Sequence, residues 1–412
     1  MNKFFKDPIY RNSLFLMLNT AALSGFGFLF WIIATRFFDS TTIGNATALL
    51  GAANLMANLG LLGTESGLLR FLPDSTQKER KINSVVILSL ISTVITCLIY
   101  VQFLEFFSPK LHVVINSAQL VLIFTLIAVF TSLNNILDAT FTAFKSSQFV
   151  FIRGFTFGIL KIALIFAFYS LGFVGLMYSF ILPAVFITLA GFIFLILYFQ
   201  IKPKPAFSLE ALLRMSKYSF HNYISGIAGT TIGSILPLII INFLGAKYAA
   251  YFYFSTMVNT ALASIPSSSS SSFLAVSSGG KVDIKFLFTK TLKFIGTLVI
   301  PAALLLIVFG KFILLAFGKE YALNAYPLLA LLAVSTIFSS LNSLSAAFLN
   351  YKKRSFLVTK ISILYATVLL TGSYLLIKLG LTGIGLAYVS AHLVVNAFYV
   401  YYFITNKNLF DN

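Results

Sequence analysis

Acidic residues are scarce in this chain: 11 Asp and Glu stand against 29 Lys and Arg, and charged residues of both signs make up only 10% of 412. A soluble domain of that length needs far more charge on its surface, so a large globular enzyme is excluded. Cysteine is nearly absent, and the lone Cys97 lies inside an apolar run, so no disulfide forms within the chain. There is no H-E-x-x-H and no paired Cys cluster to hold a metal. No G-x-x-x-x-G-K-[ST] stretch occurs, which removes P-loop ATP hydrolysis. No cofactor is expected. A cleavable signal sequence is not expected either, because the polar start from Met1 to Asn12 leads into an apolar segment too long for one. A membrane glycosyltransferase or polymerase would need sizeable external loops bearing acids or arginines. None of the outer turns is long enough, so the chain is not expected to be an enzyme.

What the chain has is apolar sequence: 59% hydrophobic residues and a mean hydropathy of +0.95. The apolar residues come in runs of roughly 20, the length that crosses a hydrocarbon core. Spans are expected near 13–35, 43–69, 83–107, 115–143, 149–170, 173–199, 217–244, 250–278, 286–309, 326–349, 355–377 and 382–404. This is an all-α integral membrane protein with about 12 transmembrane helices. With both termini on one side, 22 Lys and Arg fall on that side and 6 on the other, with Lys161 inside a span. Cytoplasmic loops collect Lys and Arg, so both termini are expected in the cytoplasm and the chain in the cytoplasmic membrane. The net charge of +18 is thereby topological, and nucleic-acid binding is not expected.

The segment Gln200 to Ser216 is more than a turn. Pro203 and Pro205 keep its start extended, Ser208 can cap a short helix, and Leu209, Leu212 and Leu213 share one face. It is expected to lie in the cytoplasmic interface. It joins an N-terminal six-helix lobe at 1–199 to a C-terminal one at 217–412, with the linker at 200–216. The halves resemble each other. A shift of 206 brings RFFDSTTIGNATALL at Arg36 onto NFLGAKYAAYFYFST at Asn242, and a shift of 208 brings SLNN at Ser132 onto SLNS at Ser340. The second shift also carries Gly172-Phe-Val-Gly175 onto Gly380-Leu-Thr-Gly383. Both halves begin on one side and hold an even number of spans, which makes them parallel repeats, an arrangement that binds cargo near mid-membrane.

The stretches RFFDSTTIGNATALL, NLGLLGTESGLLRFLP, FGKEYALNAYPLLALLAV, LNYKKRSFLVTK and KLGLTGIGLAYVSAHLV resemble the polysaccharide flippases of the multidrug/oligosaccharidyl-lipid/polysaccharide exporter superfamily. The resemblance implies a V-shaped pair of six-helix lobes. It also implies translocation of a polyprenyl-diphosphate-linked oligosaccharide for O-antigen, capsule or exopolysaccharide assembly, beside membrane lipids and other polysaccharide assembly proteins, with H+ or Na+ as coupling ion.

Lys161 is the sharpest candidate for binding such a cargo. It sits mid-span in LKIALIFAF, where an unpaired charge costs about 2.5–3.5 kcal/mol. One reading has it meeting a diphosphate across a hydrated cavity; the other pairs it with Asp138 on the previous span. Arg153, eight residues earlier, lies about 80° round the helix and on a similar side. On the second span Thr47, Asn54, Asn58 and Glu65 fall within about 40° on a helical wheel, and the fourth span carries Thr131, Asn135, Asp138 and Thr142. Such stripes line a water path or tie helices together. Asn54, Asn58 and Arg36, at the end of the first span, join Lys161 and Arg153 as substrate-binding candidates, and Glu65 and Asp138 are the ion-coupling candidates. The second half has Ser271, Ala346 and Leu369 where the first has Glu65, Asp138 and Lys161, so the scaffold can be built without those charges. Ser267 to Ser272, following Pro266, point to a bent or cavity-lining helix. His221 and His392 read as structural. The rival functions are a drug/cation antiporter of the same superfamily and a non-transporting scaffold in a glycan assembly complex.

Overall fold

Backbone amides and carbonyls have no water to bond inside a bilayer, so a spanning chain of this composition must satisfy them within helices. A computed structural model describes residues 8–73, 75–114, 117–201, 208, 212, 233–278 and 283–406, and among them there are helices and no strands. In order these are α1 (Pro8–Phe37), α2 (Ser40–Leu61), α3 (Thr64–Phe71), α4 (Lys78–Gln102), the short α5 (Leu104–Phe107) and α6 (Pro109–Val114), and α7 (Ala118–Ala143). Then come α8 (Gln148–Phe168), α9 (Gly172–Phe199), α10 (Gly233–Phe243), α11 (Ala246–Ser278), α12 (Ile284–Leu315), the short α13 (Lys319–Asn324), α14 (Tyr326–Tyr351), α15 (Ser355–Leu375) and α16 (Leu381–Thr405). Among the described residues, eight stretches are long and apolar enough to cross a bilayer; one of them, Gln148–Phe199, holds both α8 and α9. The bent pair α2 and α3 passes the same test when its two helices are taken together. The seventh expected span falls mostly outside the described residues, with α10 as its described end.

The chain divides into two compact units, Met1–Asn242 and Phe243–Asn412. Most of the expected linker lies outside the described residues. Of its described part, Ile201 and Leu212 are buried beside Leu61, Leu68 and Phe141, and the Ser208 amide donates to Ser84 Oγ at 2.9 Å.

The second span departs from a straight helix. Leu62 and Gly63 both take left-handed backbone angles, φ 51° and 71°, and α3 leaves the break inclined by 52° to α2. Hydroxyls of α4 fill the gap: Ser92 donates to the Gly60 carbonyl, and Thr64 Oγ1 lies 3.3 Å from Ser89 Oγ. At the other end, Asp39 caps α2 by accepting from the Thr42 amide at 3.2 Å. Burial pushes this carboxyl up, but the hydrogen bonds from Thr42 and Thr41 outweigh it and hold it below its ordinary value.

The repeat read from the sequence returns in the backbone. Under the 208 shift, α7 and α14 begin and end at matching residues. So do the 3-10 turns Tyr169–Leu171 and Ile377–Leu379 that precede α9 and α16. Gly172 and Gly380, which close those turns, have φ 61° and 66°, a region that costs other residues about 1 kcal/mol or more. Lys145 and Lys353 match in the same way, at φ 53° and 59°.

Candidate functional site

Among the described residues of the first unit two cations are buried, Arg153 at 2% exposure and Lys161 at 7%. Both sit on α8, which packs against α1 and α9. Small residues let these helices approach: a Cβ at Gly158 would run into the Phe26 ring of α1, and one at Gly191 of α9 would stand 3.0 Å from Arg153 Nε.

Arg153 is fully engaged by its neighbours. Its NH1 donates to Asp138 Oδ1 of α7 at 2.5 Å, its NH2 to Asn134 Oδ1, and its Nε to the Ile187 carbonyl of α9 at 3.1 Å. Asn134 Nδ2 in turn donates to Thr188 Oγ1 at 2.9 Å. The network ties α7, α8 and α9 at one level, and Asp138 keeps 42% of its side chain exposed.

Lys161 has different company. Its Nζ lies over the rings of Phe30 of α1 at 4.7 Å, Phe180 of α9 at 5.1 Å and Phe157 of its own helix at 5.4 Å. Among the described residues no carboxylate reaches it, so the alternative pairing with Asp138 is not what the structure shows. Asp138 is taken by Arg153. The cage is itself packed, with Phe30 and Phe180 edge to face at 4.9 Å and Trp31 5.8 Å from Phe180. A desolvated cation–π contact contributes about 0.5–2 kcal/mol. Three of them offset much of the roughly 2.5–3.5 kcal/mol that a mid-membrane lysine costs. The ring faces therefore hold a positive charge seven residues, about 10 Å, from the Phe168 end of α8.

The other candidates are scattered. Arg36 is exposed in the last turn of α1. Asn54 is exposed and Asn58 half-buried on α2, and neither side chain is hydrogen-bonded among the described residues. An amide left open to hydrocarbon costs several kcal/mol. Glu65 does not continue the Asn54–Asn58 stripe as the helical wheel had it. The break at Leu62–Gly63 restarts the helix, and Glu65 sits half-buried in the first turn of α3, where the helix dipole favours a carboxylate. In the second unit α11 runs unbroken through Pro266 and exposes Thr260, Ser264, Ser267, Ser268 and Ser271. Under the 206 shift Thr260, Ser264 and Ser271 stand where Asn54, Asn58 and Glu65 stand in the first unit.

The sequence reading missed the cage rings and named Asn135 where Asn134 makes the network. The repeat carried a signal for the second: Asn134 in SLNN corresponds to Asn342 in SLNS. No comparable signal marks three phenylalanines among 46.

Solved structures share this fold. An inward-facing multidrug resistance MATE family transporter of the MOP superfamily superposes with a TM-score of 0.70 at 15% identity, over 96% of this chain and 99% of that one. The lipid II flippase MurJ, in an inward closed conformation, gives 0.73 at 14% identity, over 94% of this chain and 87% of that one. A MOP superfamily transporter from Pyrococcus furiosus, described as having a binding pocket of reverse polarity, gives 0.59 at 15% identity over 98% and 96%. No curated protein matches the chain in sequence. A family profile described as "Polysaccharide biosynthesis protein" matches residues 46–324, most of the chain. With that match, in a chain whose described residues form helices and share the fold of membrane transporters and a lipid flippase, the chain belongs to the polysaccharide biosynthesis protein family.

Proposed function

We propose that this protein is a flippase that moves a polyprenyl-diphosphate-linked oligosaccharide across the cytoplasmic membrane for surface polysaccharide assembly, by ion-coupled alternating access. The observation that carries this reading is the charge held by Lys161. A cation kept within the membrane span, caged by ring faces and free of a carboxylate, suits a polyanionic headgroup, which can draw it out with charge-assisted hydrogen bonds. Family membership and a fold shared with a lipid II flippase support it. Arg153, whose donors are occupied, serves as a clamp with Asp138 in this reading. Arg36, Asn54 and Asn58 are the further substrate-binding candidates in this reading.

The direct test uses purified protein in liposomes with a fluorescent polyprenyl-diphosphate oligosaccharide. Its passage is scored by access of an impermeant glycosidase. Protein-dependent passage is expected. Efflux of a monovalent organic cation with no movement of the glycolipid would transfer the protein to the drug antiporter class. Inertness toward both would leave a scaffold.

The proposed orientation puts both termini in the cytoplasm. Reporter fusions after Lys81, Lys290 and Lys353 should therefore report the cytoplasm, and fusions near Ser40, Ser108 and Lys319 the outside. A cytoplasmic signal at Lys319 would invert the second unit. Glu65 is the proposed acid of the first unit, since Asp138 is held by Arg153. Glu65→Gln should slow gradient-driven passage with glycolipid binding intact, measured in the same liposomes. An unchanged rate would return Glu65 to anchoring the first turn of α3.

A further inference from the structure

The second unit rebuilds the Arg153 network with different chemistry. Under the 208 shift Asn134 falls on Asn342, Ala184 on His392 and Thr188 on Asn396. The cage residues Phe157 and Phe180 fall on Tyr365 and Tyr388, while Arg153, Asp138 and Lys161 fall on Ile361, Ala346 and Leu369. The frame that carries an ion pair and a lysine in one unit carries one imidazole and two phenols in the other.

His392 is midway along α16, and three helices meet on it. Its Nδ1 lies 2.8 Å from Asn342 Nδ2 of α14, and its Nε2 lies 3.2 Å from the Tyr365 hydroxyl of α15. The Tyr365 ring lies against the imidazole, with centroids 4.6 Å apart. Asn342 Oδ1 is buried and accepts no hydrogen bond among the described residues. The ionisable surroundings are sparse. α14 presents Asn342 and has tyrosines only at its ends, α15 presents Tyr365 with the exposed Lys360 five residues before it, and α16 presents Tyr388 one turn before and Tyr399 two turns after. None of the three helices contains an acid.

A neutral imidazole offers one donor and one acceptor, and this cluster suits it: Asn342 donates to Nδ1, and Nε2–H donates to the Tyr365 oxygen. Adding a proton turns Nδ1 into a donor. Turning the Asn342 amide over then presents Oδ1, the acceptor now without a partner, at the same 2.8 Å. Both charge states are thus bonded with no helix displaced. A hard metal cation asks for several oxygen ligands, and one amide oxygen with one phenol does not supply them.

We propose that His392, held by Asn342 and Tyr365, is a proton-binding site of the second unit, and that the coupling ion is therefore H+. One proton adds to Nδ1 from water on one side and leaves to water on the other, and no covalent bond of the chain is made or broken. The coupling part rests on the flippase reading; the proton site does not.

Two measurements separate them. The chain has three histidines, so 15N-histidine labelling of the protein in lipid nanodiscs gives few imidazole signals, and the one lost in His392→Gln is His392. That signal should titrate as the pH is lowered. Its midpoint should move down in Asn342→Leu, which takes the acceptor from the charged ring, and up in Asn342→Asp. A ring that stays neutral throughout, or a midpoint indifferent to both Asn342 variants, overturns the site. In liposomes a one-unit pH gradient should accelerate wild-type glycolipid passage by up to about tenfold, and a Na+ gradient should not. The ratio of rates with and without the gradient should fall to one in His392→Gln. If the gradient accelerates that variant as it does wild type, the coupling role is overturned and the flippase reading stands. If wild-type protein moves no glycolipid at all, the flippase reading fails, and the titration still decides the proton site.

Discussion

Lys161→Met should reach the membrane at wild-type abundance and lose glycolipid translocation by about 100-fold, the loss expected when one charge-assisted contact of roughly 2.7 kcal/mol is removed. Methionine fills the space between Phe30, Phe157 and Phe180 and removes only the charge. Lys161→Ala is a poorer test, because it opens a hole among three rings and costs about 2 kcal/mol or more of packing. Lys161→Arg should keep part of the activity, since a guanidinium also sits well over ring faces and still carries the charge. Lys161→Glu should be the worst, setting an anion against the negative ring faces and repelling the diphosphate. Abundance by quantitative blot and translocation in liposomes are read together. A well-expressed Lys161→Met protein with full translocation would reduce the cage to a packing device and end the cationic-site reading.

Asp138→Ala should be among the most destabilising single substitutions in the chain. It strands a guanidinium that is 2% exposed, whereas Arg153→Ala leaves a carboxylate that keeps 42% of its side chain exposed. Breaking a buried pair from one side costs about 3–5 kcal/mol. The loss should approach that for Asp138→Ala and be smaller for Arg153→Ala. The second unit supplies the repair, because Ala346 and Ile361 occupy the matching positions beside Asn342. Arg153→Ile combined with Asp138→Ala copies that arrangement and should recover most of the thermal stability that either loses alone. Detergent-solubilised protein followed by size-exclusion chromatography after a heating series gives the ranking. Additive losses in the double variant would mean that the two residues do not act as a pair.

Much of the architecture was legible in the sequence because the bilayer leaves few alternatives. Apolar runs of about 20 residues have to be helices, and a second half with the same spacing has to rebuild the same frame. The shift of 208 paired Gly172 with Gly380 and SLNN with SLNS, and the structure puts a matching turn at each glycine and a matching asparagine, Asn134 and Asn342, in each polar network. The break at Leu62–Gly63 was less legible, since only Gly63 signals a left-handed turn and the apolar pattern runs straight through it.

The partners of the buried charges were decided by tertiary structure alone. Spacing placed Arg153 and Lys161 on similar sides of α8, but it could not say that Arg153 would take Asp138 and leave Lys161 to Phe30 and Phe180. The physical reason is rotation. A transmembrane helix that is apolar almost all round carries no sequence record of which face meets which neighbour. Here that face is set by where glycines such as Gly158 and Gly191 let helices close up. The sequence therefore determined that the spans are helices, that they repeat and which residues carry charge. The close packing of helices distant in the chain decided that one lysine is ringed by aromatics, one arginine is neutralised by an aspartate, and one histidine ties three helices together.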